Sequence, residues 1–130
     1  MSDQVDVSGT GLGQEEEKGI KDFAEDLLRT PGLRVKSLIL YGSAASGAYR
    51  AGRSDINILA VVDTLTVEIL RSVLDPVTKG RRYGMAPFFL TADDIRSSAE
   101  VFHLKYLAMK QHYRVLYGED LLRALVVGRE

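Results

Sequence analysis

The sequence predicts an α/β chain, more strictly α+β, with short strands alternating with helices around one core. Three observations predict it. The runs "VKSLILY" (35–41), "INILAVV" (56–62) and "APFFL" (86–90) are short and apolar, and turn-forming residues or a helical segment separate them. The segments around them repeat their apolar residues at helical spacing. A chain of 130 residues suits one domain that buries a core without disulfides or a structural metal.

Residues 1–13, "MSDQVDVSGTGLG", mix glycine, serine and acids without periodicity and read as a disordered head; residues 14–130 form the single domain. From Gln14 the pattern is helical, with Ile20, Phe23, Ala24, Leu27 and Leu28 on one stripe, and it stops at Thr30-Pro31-Gly32. The β-branched run 35–41 is a strand. The run 56–62 is apolar on both alternating faces, as a central strand covered on each side is. Between them, "SAASGAY" has small residues that let a helix begin directly after a tight turn at Gly42. "TLTVEILRSVLDPVTKG" places Leu65, Ile69, Leu70, Val73 and Leu74 at helical spacing, with Pro76 kinking or splitting it. Pro87 sets the third strand at an edge or at its first residue. Thr91 and Asp94 form a capping box for another helix. The tail then reads as a helix, a short strand at "RVLY", a turn at Gly118 and a final helix.

Composition excludes several chemistries. With no cysteine and only His103 and His112, thiol catalysis, cysteine-ligated zinc and an all-histidine metal site fall away, so any metal is held by oxygen. No apolar run approaches the ~20 residues of a membrane helix, and no basic-then-apolar signal opens the chain, so a cytoplasmic address without membrane partners is expected. The formal charge of −1 is uneven: residues 1–28 carry eight acids and two bases, residues 29–82 four and nine, residues 83–130 six of each. A net +5 in the middle is too weak for a nucleic-acid coat, though it leaves nucleic acid open as a partner. It suits a small polyanion such as a nucleoside triphosphate.

The chemistry concentrates in "LYGSAASGAYRAGRSDINILAVV", residues 40–62. Gly42-Ser43 lies where a strand gives way to a helix, so backbone N–H groups and the Ser43 hydroxyl are expected to cradle phosphate. Asp55 begins the next strand and is placed to hold Mg2+ beside that cradle. Residues 55 and 57 share a face about 6.6 Å apart, where two acids would share a pair of ions. Position 57 is asparagine. Lys79, Arg81 and Arg82 read as a solvated helix end, and Tyr106, Tyr113, Phe88 and Phe89 as core.

The ordered match of Gly42-Ser43, Gly47, Ser54-Asp55 and the apolar residues after them resembles the signature of the nucleotidyltransferase superfamily related to DNA polymerase β, in its minimal form. "FFLTADDI" and "HYRVLYGEDLL" look similar to the minimal domains too, more softly. The resemblance implies a small mixed sheet flanked by helices, and Mg2+ held by an aspartate pair plus a third aspartate on a later strand. It implies transfer of a nucleoside monophosphate from a triphosphate to a hydroxyl. Carried over, Gly42, Ser43, Arg50, Arg53 and Ser54 bind nucleotide, Asp55 binds metal, and Asp55 with Asn57 takes the catalytic positions. Arg50 and Arg53 have a plainer reading as solvated loop cations, and Asn57 as a structural hydrogen-bonding residue.

Asn57 departs from the pattern because an amide oxygen brings no negative charge. The third acid is also missing: "APFFL" holds none, Asp63 lies roughly 26 Å along the strand from Asp55, Asp93 and Asp94 suit a first helical turn, and Glu100 is a distant candidate. Two readings follow: a transferase whose activity Asn57 weakens or removes, or a degenerate domain that binds nucleotide or protein. A third, an unrelated α/β binding module, leaves the serine-aspartate match unexplained. Minimal members of the family often act beside a helical protein partner, which a chain this short is expected to need.

Overall fold

The computed structural model describes residues 5–7, 10–98 and 102–124. Its elements follow the chain as α1 (Gln14–Leu28), β1 (Val35–Tyr41), α2 (Ser43–Ser46), β2 (Ile56–Val62), α3 (Val67–Ser72), α4 (Leu74–Arg81), β3 (Met85–Thr91), α5 (Ala92–Ser98), α6 (His103–Gln111), β4 (Tyr113–Gly118) and α7 (Leu121–Ala124). The strands form one mixed sheet in the order β3-β2-β1-β4. β1 pairs antiparallel with β2 and β4, and β2 pairs parallel with β3.

Side-chain alternation divides the core between the two faces of this sheet. Leu38, Leu40, Ile58, Ala60 and Val62 meet the α1 stripe of Ile20, Phe23, Ala24 and Leu27, together with Ile69 and Val73. On the other face Ile39, Tyr41, Leu59 and Val61 meet Ile95 of α5, Tyr106 and Met109 of α6, and Leu122 of α7. The run 56–62 is therefore the covered central strand its two apolar faces predict.

Local chemistry accounts for most boundaries. α1 ends at Leu28, ahead of Pro31. The helical segment around Pro76 is split: α3 stops at Ser72 and α4 starts at Leu74. Pro76 has no N–H for the Ser72 carbonyl four residues back, yet it is accommodated in the first turn of α4. Pro87 is the third residue of β3, two residues inside the strand, on an edge of the sheet where a missing N–H can face outward. The capping box closes in both directions: Asp94 N–H donates to Thr91 Oγ1 at 3.0 Å, and Thr91 N–H to Asp94 Oδ2 at 3.2 Å.

The head corrects the sequence reading. Its described residues lie against the domain: Val5, Val7 and Leu12 pack on the α1 side of the core, and Asp6 N–H donates to the Leu116 carbonyl on β4 at 2.8 Å. Thr10 is buried, accepting from Leu12 N–H and donating to Glu17 Oε2, each at 3.3 Å. β4 is an edge strand with carbonyls to offer, and Val5-Asp6-Val7 has the alternation to use one. Three alternating residues within glycine and serine are too few to show as periodicity. A chain beginning at Gln14 is therefore expected to lose about 3 kcal/mol in urea melts, from ~1.5–3 kcal/mol per fully buried aliphatic side chain reduced for partial burial; an unchanged midpoint would contradict the docking.

Gly118 ends β4 at φ +79°, and a Cβ there would lie 2.1 Å from the Lys36 carbonyl oxygen. Gly32 has a similar φ of +81° with nothing within 4 Å of its added carbon. Gly32→Ala is expected to cost ~1–2 kcal/mol through backbone conformation alone, and Gly118→Ala clearly more, because β1 must shift. Equal losses of stability would show that the close approach carries no weight.

Candidate functional site

Four segments meet at one end of the sheet: the end of β1, the starts of β2 and β3, and the start of β4. Gly42 follows β1 with φ +79° and ψ −145°, a backbone conformation that favours glycine. Its N–H donates to the His112 carbonyl at 3.1 Å, and a Cβ on it would stand 3.0 Å from Asn57 Nδ2. The expected phosphate cradle is thereby reduced. The Gly42 N–H is already used, and α2 is a single four-residue turn with little dipole to offer. Ser43 retains its hydroxyl, which makes no hydrogen bond among the described residues.

The motif loop after α2 is held by its own backbone. Arg53 and Ser54 N–H donate to the Arg50 carbonyl at 3.1 and 2.8 Å, and Arg50 N–H donates to Ser54 Oγ at 3.1 Å. Ser54 thus closes the loop. Arg53, Ser54 and Asp55 line a cleft of about 400 Å³ with Tyr49, Arg81, Arg82, Glu15 and Glu16, and Arg50 does not. Burial raises the Tyr49 phenol above its ordinary pKa, with the Glu16 and Asp55 carboxylates adding to it. Arg81 and Arg82 are the exposed helix end that the sequence predicts, and they line the same cleft as Asp55. Their only sequence signal was the basic excess of residues 29–82.

Asp55 also borders a second cleft of about 610 Å³, floored by apolar residues of α3, α4 and β3. It is exposed and makes no ion pair or hydrogen bond among the described residues. Among the other described acids, Asp22, Asp26, Asp63, Asp75 and Asp93 each pair with a lysine or arginine.

Asn57 is half-buried and pairs with Tyr41 of β1 and Ala86 of β3. Its side chain forms no hydrogen bond among the described residues, so the structural hydrogen-bonding role expected for it is not seen. Residues paired across strands share a face, so Ala86 is the β3 neighbour of Asn57 on its face of the sheet. A two-ion Mg2+ site needs several oxygen anions. Here Asp55 is a carboxylate, position 57 an amide and position 86 a methyl group. Among the described residues no three of His, Cys, Asp and Glu come together to hold an ion. Glu100 lies outside the described residues. The residues present do not fit a two-metal centre. No helix among the described residues is long and apolar enough to cross a membrane.

No family model matches the chain, and no curated protein matches it. Among solved structures, a toxin–antitoxin crystal structure with AMP-PNP is similar over 79% of this chain and 73% of that one, at 17% identity and a TM-score of 0.49. A mutant of the toxin–antitoxin MntA-HpeT is similar over 81% and 74%, at 20% identity and the same TM-score of 0.49. At that distance the chemistry of the site rests on this chain's own residues.

Proposed function

We propose that the chain is a nucleotidyltransferase-like domain that binds a nucleoside triphosphate and whose transfer of a nucleoside monophosphate to an acceptor hydroxyl is weak or lost. The observation that carries this reading is the neighbourhood of Asn57. The glycine-serine turn follows β1 and the Ser54-Asp55 loop leads into β2, while the strand positions beside them carry an amide and a methyl group. Transfer would form a bond from the acceptor oxygen to the α-phosphorus as the bond to pyrophosphate breaks. The acceptor must lose its proton on the way, and the chain has one motif carboxylate to support both events.

Ser43 supplies a hydroxyl donor, and Arg53 with Arg81 and Arg82 supplies cations at the mouth, next to the Asp55 carboxylate. The alternative role is a domain that acts by binding another protein. The expected helical partner has an apolar surface to meet on α6, where Leu104 is 73% exposed and Leu107 and Phe102 are also outside the core. A Leu104→Glu variant that keeps every assembly the native chain makes would remove that surface from consideration.

The test of the main reading is a labelled-triphosphate transfer assay with a Mg2+ titration, run on wild type, Asn57→Asp and Asp55→Ala. Asn57→Asp adds one charge in nearly the same volume and is expected to tighten Mg2+ binding roughly tenfold, ~1.4 kcal/mol, with transfer still slow for want of a third acid. Robust wild-type transfer abolished by Asp55→Ala would overturn the proposal.

A further inference from the structure

The face of the sheet that bears Asn57 also bears a cation. Lys105 of α6 places Nζ 5.0 Å from the centroid of the Phe88 ring and 5.9 Å from that of Tyr41. Tyr41 is the β1 partner of Asn57, and Phe88 is the β3 partner of Leu59, which shares a face with Asn57. The two rings stand on either side of β2, so the ammonium near both lies on the face of the sheet that bears Asn57. Aromatic faces attract a cation without neutralising it. Lys105 has no carboxylate partner among the described residues, whereas Lys18, Lys36 and Lys79 each have one.

We propose that Lys105 adds a positive charge to the triphosphate site and contacts the phosphate oxygens directly, so that nucleotide binds without a divalent ion. This rests on the nucleotide-binding reading above. An acid-lined site attracts Mg2+ first and phosphate through it. With an amide at 57, a methyl group at 86 and an ammonium on their side of the sheet, the same face repels a metal ion and attracts the anion itself. Three rotatable N–H donors on a flexible stem suit polyphosphate oxygens, and the rings of Tyr41 and Phe88 hold the ammonium in place before ligand arrives.

The experiment is calorimetric titration of the whole chain with ATP, in EDTA and again in excess MgCl2, for wild type, Lys105→Met, Lys105→Arg and Ser43→Ala. Wild type is expected to bind ATP in EDTA, with Mg2+ leaving the affinity unchanged or weaker. Lys105→Met is expected to weaken binding about tenfold and Lys105→Arg by no more than about threefold. Lys105 is exposed, so thermal melts of the variants should match wild type. Wild-type binding that appears only with Mg2+, or Lys105→Met binding as wild type while Ser43→Ala weakens, would overturn the role of Lys105 and leave the nucleotide reading standing. Absence of ATP binding by wild type in both buffers would overturn both.

Discussion

The turn at Gly42 ties three strands together at one end of the sheet, and the candidate site depends on it. Its N–H reaches the residue before β4, its bare Cα leaves room for the Asn57 amide on β2, and its backbone lies outside the range most side chains tolerate. The glycine of the motif therefore serves first as a structural joint. With its N–H committed, any phosphate contact has to come from side chains: the Ser43 hydroxyl, the loop and α4 arginines, and the Lys105 ammonium.

That joint also sets the electrostatics. Asp55 and Asn57 flank Ile56 at the head of β2 and differ in surroundings, Asp55 facing the clefts beside α4 and Asn57 sitting half-buried among Gly42, Tyr41 and Ala86. A pair of shared ions needs negative charge at both places and on the neighbouring strand. Here the second place is neutral, and the ring of its β1 partner Tyr41 lies near the Lys105 ammonium. One carboxylate beside an amide and a methyl group gives little negative charge to hold paired ions, which is the physical basis of the proposed binding without turnover.

Much of the fold was legible in the sequence, because strands buried on both faces and helices packed by one stripe leave periodic traces. Val35–Tyr41 and Ile56–Val62 form as their composition predicts, and the Thr91–Asp94 box caps α5. The split before Pro76 follows from its missing N–H. The docking of Val5 and Val7 was hidden because it depends on a free carbonyl on β4, far along the chain. The site was less legible for the same reason. The Gly42 N–H is taken by His112, Arg81 and Arg82 line a cleft with Asp55 only once α4 is packed, and Lys105 meets Tyr41 and Phe88 only because α6 packs on that face. None of these encounters has a local signature.

The head of β2 is proposed not to hold a divalent ion. This is tested most directly by paramagnetic broadening of the amide spectrum on adding Mn2+ in place of Mg2+, with the chain otherwise free of ligand. Resonances of residues 42–57 are expected to broaden no more than those beside other exposed carboxylates such as Asp75 and Asp120. Selective loss of the Asp55 and Asn57 signals at low Mn2+ would contradict the claim and place an intact ion site where the chain carries an amide.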